Sequence, residues 1–352
     1  MFNYKWYLKD NYEVDGIDKH GLTVFSTFSC GGGSSMGYKL AGYNVVGAND
    51  IDPKMQAIYT VNHKPEFYHL GSISELKTID LPDKLFNLDI LDGSPPCSTF
   101  SAAGLREKAW KVKKKFREGQ SKQVLSDLFF EFIDVVERLQ PKVVVAENVK
   151  GIISGNAKLY TLEIVKRLDE IGYDTDIFLL NARNMGVPQS RGRVFFVGRR
   201  KDLNLPKLNL HFNQPVIPFS KIETDEDGSR PMSEFELEAW YKREYGDSKL
   251  AQILVRNGQK GNRYTTGLIY KTRPVPTIIA NDNNILFHKP RKLSDTELKL
   301  ASSFPLDYNF LNQDVRYIVG MSVPPVMMAN VAHQIYLQLF KDNEKDIQTT
   351  KS

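Results

Sequence analysis

Across the first 200 residues, short apolar runs alternate with segments whose apolar side chains recur at helical spacing. Leu22–Phe28, Asn44–Ala48, Asn87–Leu91, Lys142–Ala146, Asp174–Leu180 and Arg193–Val197 read as strands. Ser34–Leu40, Pro53–Val61, Gln123–Leu139 and Leu159–Glu170 read as helices. This alternation predicts an α/β fold with a parallel sheet covered by helices, and ligands at the carboxyl ends of the strands. After Arg200 the pattern changes: Pro206, Pro215, Pro218, Pro231, Pro274 and Pro276 punctuate the chain and long apolar periods vanish. Helices are expected at Ser233–Arg243 and Ser294–Ser303, each with a serine and a glutamate at capping-box spacing. The boundaries read as a cofactor-binding, catalytic stretch at 1–201, a smaller loop-rich domain at 202–290, and a return at 291–352 that ends in an amphipathic helix, Pro325–Phe340.

Composition adds limits. With 352 residues, 41% of them hydrophobic and 25% charged, the chain has ample core, so wholesale disorder is excluded. No apolar run approaches the roughly 18 residues of a membrane span, so no membrane partner is expected. The polar, aromatic first 20 residues do not read as a signal peptide. Two cysteines, Cys30 and Cys97, cannot build a disulfide framework, which fits a reducing, cytoplasmic setting. Net charge is only +5, but it is concentrated. Between Cys97 and Lys122, eight basic residues (Arg106, Lys108, Lys111, Lys113, Lys114, Lys115, Arg117, Lys122) face two acidic ones, Glu107 and Glu118.

Four segments carry candidate chemistry. FSTFSCGGGSSMG (Phe25–Gly37) is a strand, three glycines and a serine-capped helix, where a ligand can approach the backbone and free helix N–H groups. Its glycine spacing is not GxGxxG, and a tight turn without ligand looks alike. Asp50, ending the next strand, suits a ribose hydroxyl. GSPPCSTFSAAG (Gly93–Gly104) stiffens the backbone before Cys97, whose thiol becomes a nucleophile if nearby cations depress its pKa; an inert buried cysteine is the alternative. KVVVAENVKG (Lys142–Gly151) places Glu147 after a buried strand, as a proton donor of raised pKa or as a cap. In GVPQSRGR (Gly186–Arg193), Arg191 and Arg193 share a face if the backbone is extended, and could hold an anion or a carbonyl oxygen; solvated arginines at a strand edge are the alternative.

In this order, FSCGGG, SPPCSTFSAAG, ENVKG and QSRGR resemble the motifs of the DNA (cytosine-5) methyltransferase family over nearly the whole chain. RKLSDTELKLASSFP and GMSVPP resemble its later segments. The resemblance implies a Rossmann-like, S-adenosyl-L-methionine-dependent methyltransferase domain with a second, smaller, loop-rich DNA-recognition domain. It places the donor against Phe28, Ser29, Gly31, Gly32, Gly33, Asp50, Ile51, Ser72, Ile73, Pro96 and Ser322, with no metal. Four positions depart from the family pattern: Cys30 replaces a usual glycine, Ser72 an aspartate, Ser98 a glutamine and Met321 an asparagine.

The implied substrate is a cytosine flipped out of duplex DNA. Cys97 is then the nucleophile at C6, Glu147 stabilises N3, Arg193 the O2 oxygen, and Arg191 supports the loop. Ser101, Lys108, Lys111, Lys113, Lys114, Lys115, Arg117 and Lys122 are expected at the DNA, the basic residues on phosphates. The polar, glycine-rich stretch QILVRNGQKGNRYTTG (Gln252–Gly267) offers Arg256, Asn257, Gln259 and Arg263 for base readout. With no long regulatory region ahead of the motifs, the expectation is a monomeric bacterial-type modification enzyme, with a cognate restriction endonuclease acting separately. A tRNA cytosine-5 methyltransferase of the same fold and a catalytically silent DNA-binding module are the alternatives.

Overall fold

The computed structural model describes residues 2–96, 128–155, 157–228, 230–261, 263–281 and 284–341, together with the backbone of Lys113–Lys114 and Gln123–Val124. The chain divides into two compact units. One comprises residues 13–180, 192–211 and 328–352; the other comprises 1–12, 181–191 and 212–327. These cuts differ from the stretches 1–201, 202–290 and 291–352, because residues 1–12 and 291–327 fold with the segment around 212–290.

The first unit is built on seven strands: β1 (Thr23–Thr27), β2 (Asn44–Asp50), β3 (Tyr68–Leu70), β4 (Ile90–Gly93), β5 (Val143–Val149), β6 (Tyr173–Asn181) and β7 (Gly192–Arg200). They lie in the order β3-β2-β1-β4-β5-β7-β6. The pairings from β3 through β5 are parallel and β7 runs antiparallel to β5. β1, β4 and β5 are buried along almost their whole length, which is why they read as apolar runs. Helices α1 (Gly33–Leu40), α2 (Pro53–His63), α3 (Leu128–Leu139) and α4 (Ala157–Glu170) belong to the same unit.

One core cluster joins Phe25, Leu91, Val144, Ala146, Val194 and Phe196 of the sheet to Phe129, Phe132, Ile133 and Val136 of α3 and to Ile164 and Leu168 of α4. Each such fully buried side chain contributes roughly 1.5–3 kcal/mol. Two expectations need correction. The strand expected at Asn87–Leu91 begins only at Ile90: Asp83–Asn87 form a 3-10 turn, and the Asp89 carboxylate accepts the Thr23 N–H and the Lys142 ammonium before the strand starts. Gln123–Val124, expected to open a helix, instead pair antiparallel with Lys113–Lys114, and the helix is described over Leu128–Leu139. Among the described residues, no helix is long and apolar enough to cross a membrane.

The second unit holds α5 (Glu234–Tyr241), α6 (Leu250–Arg256), α7 (Asp295–Ala301), α8 (Val315–Met321) and the start of α9 (Pro325–Ile335). The capping boxes of Ser233/Glu236 and Ser294/Glu297 are both formed. α6 overlaps the start of the stretch expected to be a polar turn; Leu250, Ile253 and Leu254 bury its inner face against Trp240, Leu268 and Tyr270. The N-terminal segment is tied to α7's C-terminal side. The Trp6 indole donates to the Ser303 carbonyl at 2.9 Å, and the Leu8 and Lys9 N–H groups donate to the Asp307 carboxylate. Those contacts place residues 2–12 in this unit.

Candidate active site

The loop between β1 and α1 turns sharply. Phe28, Cys30 and Gly32 all have positive φ, at 51°, 45° and 73°. Such backbone is costly for a side chain and free for glycine. At Gly32 a glycine is also required sterically, since a Cβ would stand 2.1 Å from His63 Nε2. Ser29 N–H donates to the Asn49 carbonyl, and Cys30 N–H donates to Asp50 Oδ2 at 2.8 Å. Asp50 Oδ1 accepts the Asp52 N–H at 2.9 Å. Burial pushes the Asp50 carboxyl above its ordinary range, against these two N–H groups and that of Ile51. A carboxylate has about four lone-pair sites, so Asp50 retains acceptor capacity for a hydroxyl.

Ile73 is buried, while Ile51 and Pro96 are half-buried. Ser72 acts locally: its Oγ caps the turn Ile73–Lys77, accepting the Ser74 N–H, while Glu75 reaches back to the Ser72 N–H. The glycine-permitted backbone at Gly32 and the Asp50 carboxylate suit the amino-acid and ribose parts of S-adenosyl-L-methionine, so this edge of the sheet fits the donor. Ser322 belongs to the other unit; its carbonyl accepts from Arg191, and its buried Oγ meets no partner among the described residues.

Glu147 and Arg193 face each other on adjacent strands. The antiparallel register of β5 and β7 pairs Glu147 with Phe195 and Val149 with Arg193, which puts the two side chains diagonally on one sheet face. Arg193 Nε lies 2.7 Å from Glu147 Oε1, with both side chains about nine-tenths buried. Burial lowers the Arg193 pKa, opposed by the Glu147 charge. Asn148 donates from Nδ2 to the Pro95 carbonyl at 3.2 Å, tying β5 to the segment that leads to Cys97. Cys97, Ser101, Lys108, Lys111, Lys115, Arg117 and Lys122 lie outside the described residues, and of Lys113 and Lys114 only the strand backbone is described.

Arg191 and Arg193 fall in different units. Gln189–Ser190 pair with Val275–Pro276, and β7 starts at Gly192, so the chain is not one continuous strand across the two arginines. Arg191 is buried in the second unit, where it donates to the carbonyls of Ile278 (2.6 Å), Gly320 (2.9 Å) and Ser322 (3.0 Å). This makes it a clamp on the GMSVPP segment.

In the stretch expected to read bases, Arg256 ends α6 and is held by Asp247 through two bonds of 2.7 and 2.9 Å. It also donates to the Lys242 carbonyl, and Asn257 Nδ2 donates to the Ile253 carbonyl. Gln259 and Lys260 are exposed, and Arg263 is half-buried. Two polar groups near the site were overlooked in the motifs: Asn148, inside ENV, and Asp92, inside the strand ILDG. An acidic residue within an otherwise apolar, buried strand was the available signal.

The sequence matches the family described as C-5 cytosine-specific DNA methylase over residues 22–337. It is 27% identical to the Type II methyltransferase M.NgoPII of Neisseria gonorrhoeae over 92% of this chain and 97% of that protein. It is 35% identical to the Type II methyltransferase M.FnuDI of Fusobacterium nucleatum, over 55% of this chain; that alignment spans about half of the relative's length, 51%. In fold it is similar to a putative DNA modification methyltransferase encoded within an E. coli prophage, with a TM-score of 0.64, 19% identity, and 90% and 99% of the two chains covered. A DNMT2 mutant of Spodoptera frugiperda gives a TM-score of 0.63 at 18% identity, covering 90% of this chain and all of that one. Seven strands with a reversed β7, a glycine turn beside Asp50, the Glu147–Arg193 pair and a sequence match across nine-tenths of the residues converge: the chain belongs to the C-5 cytosine-specific DNA methylase family, and its methyl donor is S-adenosyl-L-methionine.

Proposed function

We propose that the protein methylates C5 of a cytosine flipped out of a specific duplex DNA sequence, through a covalent bond between Cys97 and C6, as the modification partner of a separately acting restriction endonuclease. The buried Glu147–Arg193 pair carries this reading, because it sets a carboxyl and a guanidinium side by side, as N3 and O2 of one pyrimidine edge require.

Cytosine C5 is a weak nucleophile. Addition of the Cys97 thiolate to C6 forms the S–C bond and moves electron density to C5 and toward N3 and O2. Glu147 gives N3 a proton and Arg193 donates to O2, so both act where negative charge develops. When bound, S-adenosyl-L-methionine supplies an electrophilic methyl group; Gly31, Gly32, Gly33 and Asp50 would hold it. After transfer, a water removes the C5 proton, N3 returns its proton to Glu147, and the Cys97 sulfur departs as C5=C6 re-forms.

Extruding the base costs a few kcal/mol. The basic stretch Lys108–Lys122 would offset this through phosphate contacts, which confer salt dependence without sequence information. For base readout, Gln259 and Arg263 are the better-placed candidates, since Arg256 and Asn257 are engaged within the unit.

The test is to incubate the protein with donor and mixed-sequence duplex DNA and map methylated cytosines by deamination sequencing, with tRNA in a parallel reaction. Methylation within one short DNA motif is the expected result. Methylation of tRNA alone would move the substrate to the tRNA-methylating relative, and donor binding without any methylation would indicate a silent DNA-binding module.

A further inference from the structure

The proposed mechanism leaves one buried carboxyl without a role. Asp92 lies in β4, in the middle of the sheet, and is 1% exposed. The register sets it opposite Ser26 of β1 and Val145 of β5. Ser26 Oγ donates to Asp92 Oδ2 at 2.9 Å, and the Tyr38 hydroxyl of α1 donates to Oδ1 at 3.4 Å. The Ser34 side chain, in the first turn of α1, joins them. Thr27 Oγ1 donates to the Asp92 carbonyl at 2.9 Å. Among the described residues, no cation pairs with Asp92.

An apolar residue would fill this place in the sheet at lower cost, because a buried carboxylate lacking a counter-charge is expensive. What the carboxyl gains is connection. Ser26 and Thr27 lead directly into the Phe28–Gly33 turn, and Ser34 and Tyr38 follow it. Asp92 itself stands three residues ahead of Pro95-Pro96. A single side chain therefore joins both ends of the donor-side turn to the strand that runs into the nucleophile segment.

We propose that Asp92 is a positioning residue that locks the β1–α1 turn to strand β4 and so presets the donor site relative to the segment carrying Cys97. This rests on the methyltransferase reading given above. The lock is tightest when the carboxyl is ionised, since hydroxyl-to-carboxylate bonds are about twice as strong as neutral ones. Burial, opposed by the bonds from Ser26 and Tyr38, pushes the Asp92 pKa up to about 7, so the lock titrates near neutrality. The titratable groups facing it are Tyr38 from α1, Tyr59 from α2 and Glu147 from β5; β1 contributes only hydroxyls. Burial keeps both tyrosines neutral throughout this range.

The test is calorimetric titration of the full chain with S-adenosyl-L-methionine from pH 6 to pH 8, for the wild type and for Asp92→Asn, Ser26→Ala and Tyr38→Phe, with melting temperature and the split between donor KM and kcat measured alongside. The wild type is expected to bind about tenfold more tightly at pH 8 than at pH 6. Asp92→Asn keeps the shape but loses the charge, so its affinity is expected to stay at the weak level across the range, with donor KM raised and kcat little changed. Ser26→Ala and Tyr38→Phe should fall between the two. Equal affinities and equal pH slopes in the wild type and Asp92→Asn would overturn the proposal, as would a melting-temperature loss in the single-hydroxyl variants with unchanged donor affinity. A wild type that binds donor with the expected slope yet methylates nothing would instead overturn the proposed function.

Discussion

Asp50 and Asp92, in the sheet-bearing unit, sit among amide and hydroxyl donors with no cation between them among the described residues, and burial pushes both carboxyls above the ordinary range, Asp92 to about 7. Glu223, Glu236 and Asp247, in the unit that carries α5 to α8, each meet a cation. For Glu223, burial is outweighed by His288, Lys271 and Lys289, which lower its pKa to about 2. For Glu236, burial is outweighed by the Ser233 N–H and Lys292; Asp247 is held down first by Arg256. A carboxyl whose pKa is raised by burial is poised to act or to position, whereas one clamped by cations serves as a staple between loops. The arginines of QSRGR repeat the contrast within three residues: Arg193 faces a carboxyl in the sheet, and Arg191 holds three carbonyls together.

The largest effect is expected from breaking the Glu147–Arg193 pair in the sheet-bearing unit. Glu147→Gln and Arg193→Ala are each expected to lower kcat by about 10²- to 10⁴-fold in a methyl-incorporation assay, with a smaller effect on melting than on turnover. Arg191→Ala should show the reverse balance. Three carbonyls lose their donor, so about 3 kcal/mol of stability goes in a denaturant titration, while Arg191→Lys recovers part of it.

The pH dependence of the two carboxyl classes should be opposite in sign. The raised Asp92 contributes stability that is complete below its unfolded value of 3.8 and is lost as pH rises through about 7. The lowered Glu223 contributes stability that is complete above 4.5 and is lost as pH falls toward about 2. Relative to the wild type, Asp92→Asn should therefore gain stability between pH 5 and pH 8. Glu223→Gln should be weaker than the wild type at neutral pH and approach it in acid. Each difference is about 2 kcal/mol. The smallest effect is expected for Arg256→Ala, which loosens the Asp247 junction: a slight fall in melting temperature with the methylated DNA sequence unchanged.

How much of this could be read in the sequence follows from how each part is held together. β1, β2 and β5 announce themselves because a strand buried in a parallel sheet is a continuous apolar run, and antiparallel β7 does so because its middle, Val194–Val197, is buried as well. The capping boxes at Ser233 and Ser294 are local bonds between near neighbours, so spacing reveals them. Glu147 was found as an acidic residue following the apolar run Val143–Ala146, although the strand continues through it to Val149. α6 was missed because its inner face needs only Leu250, Ile253 and Leu254, too few to show a period beside Gln252 and Arg256. The separation of Arg191 from Arg193 depends on Gln189–Ser190 pairing with residues 275–276, a contact no local pattern encodes. The place of residues 2–12 rests on Trp6 and Asp307, some three hundred positions apart.

The account turns on whether the Cys97 sulfur bonds to the pyrimidine ring, and mechanism-based trapping tests that directly. Duplex DNA with 5-fluorocytosine at the mapped position is mixed with protein and S-adenosyl-L-methionine, then resolved under denaturing conditions. Fluorine at C5 cannot leave as a proton does, so the wild type is predicted to run as a protein–DNA adduct and Cys97→Ser to run free. Absence of an adduct from a wild type that methylates the ordinary duplex, or full turnover by Cys97→Ser, would contradict it.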